Sequence, residues 1–292
     1  MLTPLERYPE LAKALGAADL YFKREDLHPY GSHKGRSIPV MIDHYVAKGD
    51  RRFALSSSGN AALAAALYVR EINTKSAGKE PLELDIFIGQ HAAPHKADHL
   101  KRLADDHIRV LVKERPLQAL TDAMNEGARS LRQSTDDLAL VGYASLAKEL
   151  AAEKGVGAIF IGTSSGTTAQ ALAKYFSDNK KPIQVHIVQT SSCHPLAETF
   201  ESYDGPEEQS LADAIVDKTA LRKGALIPLL EQSGGRGWIV TNEELAAAQE
   251  LTLKHTNIEI SPNSALAIAG LMKAAALGHE FPGAAVCMIC GE

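Results

Sequence analysis

The chain has 292 residues, 45% of them hydrophobic, enough to bury one large core or two modest ones. Its 31 lysines and arginines face 36 aspartates and glutamates, and the resulting formal charge of −5 argues against nucleic acid or a membrane surface as the main partner. No apolar run approaches a bilayer span, Met1 to Arg7 has no apolar signal core, and three cysteines make no disulfide framework, so a cytoplasmic protein is expected.

The first clear element is a strand-like run, Leu20-Tyr21-Phe22. It leads into Lys23-Arg24-Glu25-Asp26-Leu27-His28-Pro29-Tyr30-Gly31-Ser32-His33-Lys34-Gly35-Arg36, which breaks at Pro29 and Gly31 and presents Lys34 just before a helix expected from about Ser37 to Ala47. A lysine in a polar loop is ordinarily a solvated charge. It becomes a nucleophile when desolvation or a neighbouring cation such as Arg36 lowers its pKa.

Arg52 to Leu55 reads as a short strand, and Ser56-Ser57-Ser58-Gly59-Asn60 then opens onto an alanine-rich helix. Such a strand, small polar loop and helix expose backbone N–H groups to an anion, although Ser or Asn would also serve as an ordinary helix cap. Lys75 to Pro81 reads as a loop, Leu84 to Ile88 as a strand, Pro94 to Ala104 as a helix, Ile108 to Val112 as a strand and Leu117 to Leu131 as a helix. Strands and helices alternating at this pace predict an α/β fold with parallel sheets and helices on both faces. His91, His95 and His99 recur at helical spacing, but Pro94 interrupts the turn and Asp98 is the sole acidic neighbour, so no metal site is expected.

Gly142 to Ser145 precedes a helix to about Ala152, and Ala158 to Ile161 is a strand. It delivers Gly162-Thr163-Ser164-Ser165-Gly166-Thr167-Thr168 onto a helix expected from Ala169 to Phe176. Small residues let a backbone curl around a phosphate, and a helix amino terminus favours its charge, although ordinary β-α turns use the same residues. A strand from Val185 to Gln189 follows. Thr241 with Glu244 forms a capping box, Ser261-Pro262-Asn263-Ser264-Ala265 opens another helix, and Ala284 to Cys290 reads as a buried strand. Within it Cys287 and Cys290 make a C-x-x-C whose members face opposite sides of a sheet, against a redox or zinc role.

Taken in order, these motifs resemble the pyridoxal 5'-phosphate (PLP) enzymes of fold type II, the tryptophan synthase β family that includes threonine synthase, serine and threonine dehydratases and cysteine synthase. Residues 23–36 match its Lys-x-Glu-x-x-x-Pro-x-Gly-Ser-x-Lys-x-Arg signature. The loop from Ser57 to Asn60 is similar to its Ser-x-Gly-Asn, and 162–168 to its glycine-rich phosphate loop with two serines where glycines are usual. Ser261 stands where a glutamate is usual, and Gly35 and Ser37 replace commoner residues beside the lysine.

The resemblance implies that Lys34 holds PLP as a Schiff base and moves the substrate α-proton. It places the substrate carboxylate on Ser57, Ser58, Gly59 and Asn60, with Asn60 also near the cofactor's 3'-oxygen. It places the cofactor phosphate on Gly162, Thr163, Ser164, Ser165, Gly166 and Thr167, and Cys290 at the pyridine nitrogen. The implied architecture is two three-layer α/β/α domains with mainly parallel sheets and PLP in the cleft between them. Residues 1–38 and 141–292 would form the larger PLP-binding domain and 39–140 a smaller mobile one, in a homodimer.

The implied reaction is elimination or replacement at Cβ or Cγ of an amino acid. The segments Ser210–Asp213, Ser233–Arg236 and Val240–Leu245 are threonine-synthase-like. Cys290 leans towards an L-serine or L-threonine ammonia-lyase, the phosphate loop towards a cysteine-synthase-like β-replacement, and the replaced residues around Lys34 leave room for a catalytically silent PLP-binding sensor.

Overall fold

The computed structural model describes residues 2–75, 80–206 and 209–291, so 76–79 of the loop expected from Lys75 to Pro81 lie outside the described residues. In chain order the elements begin with β1 (Leu5–Arg7), α1 (Pro9–Ala14), β2 (Leu20–Arg24), α2 (Ile38–Ala47), β3 (Arg52–Ser56), α3 (Asn60–Lys75) and β4 (Glu83–Gly89). Then come α4 (Pro94–Leu103), β5 (Ile108–Lys113), α5 (Pro116–Asn125), β6 (Arg129–Ser130), α6 (Leu138–Ala152), β7 (Val156–Gly162) and α7 (Thr167–Asp178). The last are β8 (Gln184–Thr190), α8 (Lys223–Ser233), β9 (Gly237–Val240), α9 (Asn242–Thr256), α10 (Pro262–Ala276) and β10 (Ala284–Ile289).

The chain divides into two compact units, Met1–Leu27 with Tyr143–Glu292, and His28–Gly142. The first junction lies ahead of the Lys34 loop, where the sequence reading put it after residue 38, and the second falls within α6. The loop belongs with residues 39–140 because it packs on α3: the Tyr30 hydroxyl donates to Glu71 Oε2 at 2.6 Å, and the Tyr30 and Tyr68 rings meet edge to face at 5.5 Å. Burial and the Glu71 carboxylate together push the Tyr30 phenol above its ordinary pKa, which keeps it a hydrogen-bond donor.

The first unit holds a six-stranded sheet in the order β1-β2-β10-β7-β8-β9, parallel throughout except for the β1–β2 pair. Its strands are near-continuous apolar runs because helices cover both faces. Phe22, Phe160, Val188, Trp238 and Cys287 share one buried cluster with Ala265, Leu266 and Ile268 of α10. The second unit holds an all-parallel four-stranded sheet, β5-β4-β3-β6, with Phe53, Leu55, Leu84 and Ile86 packed against Ala62, Ala65, Ala66 and Val69 of α3. Each such fully buried large side chain contributes roughly 1.5–3 kcal/mol. Among the described residues no helix is long and apolar enough to cross a membrane.

Two expected helices have different bounds. The one read as Leu117 to Leu131 ends at Asn125, because Gly127 takes a left-handed φ of 94° and Arg129–Ser130 pair with β3 instead. Gly142 to Ser145, read as preceding a helix, lie inside α6, which begins at Leu138.

Candidate active site

Three segments from the sequence reading sit at strand ends or helix starts. In the second unit, Ser32 is extended and its Oγ accepts from the Lys34 N–H at 3.3 Å, capping the short 3-10 turn His33–Arg36 that carries the lysine. Lys34 itself is half-buried, between buried His33 and buried Gly35. This turn packs on α3, and α3 begins at Asn60, so the lysine loop and the Ser57–Asn60 loop are held by one helix. Ser57 is tied down by its N–H to Phe87 O at 3.2 Å, and its Oγ accepts from the Gly59 N–H at 3.3 Å. That leaves a small, half-buried polar loop at the start of a 16-residue helix.

In the first unit, β7 runs into the loop 162–168 and then α7. Thr163 spends both its donors internally, its N–H on Val188 O at 2.9 Å and its hydroxyl on Ile161 O at 3.1 Å. Ser164 Oγ accepts from the N–H groups of Val216 and Asp217, both at 3.1 Å, while Ser165 and Thr167 pair their hydroxyls at 2.9 Å. The N-cap of α7 is Gly166, in a left-handed conformation with φ of 84°, and it brings no side-chain cap. A Cβ there would stand 2.8 Å from Leu226 Cδ2, so the position admits glycine for steric as well as conformational reasons. α9 is capped by the Thr241–Glu244 box and α10 by Ser261, whereas α7, like α1, α2, α4, α5 and α8, has no side-chain cap. Uncapped N–H groups at the positive end of a helix dipole, with serine and threonine hydroxyls beside them, fit a phosphate.

At the end of β10, Cys290 is buried. β10 runs parallel beside β7 with Cys287 opposite Phe160, so Cys290 and the 162–168 loop leave the sheet at the same edge. Cys287 points elsewhere, its thiol donating to Ala267 O at 3.5 Å, and full burial drives its pKa upwards. The three cysteines are all buried thiols outside any disulfide.

Within the first unit, the start of α7 with its glycine N-cap and neighbouring hydroxyls suits the phosphate of a cofactor. Comparison with known families agrees: residues 2–291 match the family described as pyridoxal-phosphate dependent enzymes. The chain belongs to that family. Its cofactor is therefore PLP. Among curated proteins this family member is similar to the threonine synthase of Mycobacterium leprae, with 28% identity over 99% of this chain and 81% of that protein. It is also similar to the threonine synthase of Methanosarcina acetivorans, with 27% identity over 94% of this chain and 70% of that one. Among solved structures, a PLP-dependent aspartate racemase superposes with a TM-score of 0.83 at 18% identity, covering all of this chain and 90% of the racemase, a likeness of fold.

Sequence reasoning missed supports that act through other residues. Ser261, noted only as a departure from the usual glutamate, caps α10 and donates to Gly291 O at 2.7 Å; Ser264 donates to the same carbonyl at 2.9 Å. The pair thus pins the residue next to Cys290. The signal was present in the repeated Ser-x-x-Ser, but its partner lies 27 residues beyond Ser264.

Proposed function

We propose that the chain carries out PLP-dependent elimination or replacement at Cβ or Cγ of an amino acid in a threonine-synthase-like reaction. The observation that carries this reading is the likeness to threonine synthases along nearly the whole chain. Lys34 would hold the cofactor's aldehyde carbon, Ser165, Gly166 and Thr167 with the rest of the 162–168 loop its phosphate, Asn60 its 3'-oxygen and Cys290 its ring nitrogen. When bound, the cofactor supplies an electron sink for negative charge at the substrate Cα. The Lys34 amine takes the proton from that Cα and returns it later in the cycle. The Ser57–Asn60 loop orients the substrate by its α-carboxylate, which suits the N–H groups at the start of α3.

A second reading, an L-serine or L-threonine ammonia-lyase, is favoured by Cys290. A neutral thiol cannot hold a ring nitrogen protonated as a carboxylate would, and the weaker electron sink that results suits simple elimination. A homodimer working in the cytoplasm is proposed on family likeness, with sedimentation as the check on assembly.

The deciding experiment is the visible absorption of the purified protein with PLP beside Lys34→Ala, followed by L-serine, L-threonine, O-acetylserine and O-phosphohomoserine. Phosphate release from O-phosphohomoserine supports the lead reading, and pyruvate or 2-oxobutyrate formation the second. A spectrum unchanged by loss of the lysine would overturn both.

A further inference from the structure

Gln189, near the end of β8, is fully buried and lies outside the segments assigned above. Its carboxamide is saturated on both sides. Oε1 accepts from the N–H groups of Leu196 at 2.8 Å and Ala197 at 2.9 Å, while Nε2 donates to Thr163 O at 3.1 Å and Ser164 O at 3.4 Å. Two donors on one side and two acceptors on the other leave the amide a single orientation.

The consequence falls on the 162–168 loop. A trans peptide points its C=O and the following N–H in opposite directions. Drawing the carbonyls of Thr163 and Ser164 towards Gln189 therefore turns the N–H groups of Ser164 and Ser165 to the opposite side. Two successive N–H groups turned to one side make a small anion nest, which α7 and its dipole then extend. Ser164 is held from its own side chain as well, since the Val216 and Asp217 N–H groups occupy its Oγ as acceptor and leave its hydroxyl proton to be donated elsewhere.

We propose that Gln189 is a positioning residue for the cofactor phosphate: it touches no ligand, but its carboxamide sets which way the backbone donors of the phosphate loop point. This rests on the reading of 162–168 as the phosphate loop and adds the element that orients it. Gln189→Glu is the sharp test, because a carboxylate still accepts from Leu196 and Ala197 but repels the two carbonyls that the amide attracts.

The measurement is the Kd of wild type, Gln189→Glu and Ser165→Ala for pyridoxal 5'-phosphate and for pyridoxal, which lacks the phosphate. Gln189→Glu is expected to weaken the phosphorylated form about 10- to 100-fold while pyridoxal stays within about twofold. A Gln189→Glu protein that keeps the wild-type preference for the phosphorylated form, while Ser165→Ala loses it, overturns this inference and leaves the loop assignment standing. A wild type with no such preference overturns the loop assignment and this inference with it. Circular dichroism and a melting curve accompany each variant. Should Gln189→Glu fail to fold, Gln189→Met removes the same donor without a buried charge, and the same outcomes apply to it.

Discussion

The imidazole of His28 fills the space that a side chain at position 35 would need: a Cβ on Gly35 would stand 2.3 Å from both Cε1 and Nδ1 of that ring. The ring is held there, buried, with Nδ1 accepting from the Tyr30 N–H at 3.2 Å. The glycine after Lys34 and the histidine six residues before the lysine thus form one steric unit. Gly35→Ala is expected to cost about 1–3 kcal/mol in urea unfolding, the usual penalty for overpacking. His28→Ala in the same chain should recover part of the loss, and only part, because Tyr30 Cβ also lies 2.9 Å from the new methyl. A Gly35→Ala protein as stable as wild type would show that the two residues are not coupled.

Acid should destabilise the first unit through His186. This ring is buried between Phe160, stacked at 4.5 Å, and Trp238, whose Nε1 donates to His186 Nδ1 at 3.2 Å, while Nε2 meets Gln184 Oε1 at 3.0 Å. Both nitrogens are thereby committed to the neutral tautomer with hydrogen on Nε2. Burial, with repulsion from His279 and Arg236, pushes the pKa down to about 3. The folded value lies below the unfolded one, so the unfolded chain takes up the extra proton. The contribution is full above about pH 6.5 and is lost as pH falls towards 3, at up to about 1.4 kcal/mol per pH unit. Urea midpoints from pH 7.5 to 5 should fall more steeply in wild type than in His186→Phe; equal slopes would refute the assignment.

β9 is an edge strand of the six-stranded sheet, as β1 is, and its buried Ile239 backbone is plugged by charged side chains. Glu201 accepts the Ile239 N–H, and Lys273 donates to Ile239 O at 2.5 Å and to Glu201 at 2.9 Å. Unpaired edge groups invite strand addition from another chain. Glu201→Ala should cost about 1–3 kcal/mol and raise light scattering on mild heating, whereas Glu201→Gln, which keeps an acceptor, should lie in between. Identical scattering by all three proteins would count against the plug.

Ser261→Ala removes the α10 cap and one of two donors to Gly291 O, for an expected loss of about 1–2 kcal/mol. Adding Ser264→Ala leaves that carbonyl without its side-chain donors and should cost more than either change alone. Thermal melts of the three variants check the order.

The alternation of apolar strands with helices, the lysine loop and the two helix-start loops are local patterns, legible in periodicity and small-residue composition alone. The capping box at Thr241 is local in the same sense. What only the tertiary structure decided depends on partners far away in the chain. β1, β6 and β9 are three, two and four residues long, and so short a run becomes a strand only when a neighbour supplies its hydrogen bonds. β10 lies between β2 and β7, an order that no local propensity encodes. Gln189 reads in sequence as one more residue near the end of a strand. Its role follows from where Thr163, Ser164, Leu196 and Ala197 converge on a single buried amide, which must satisfy every donor and acceptor it brings into the core.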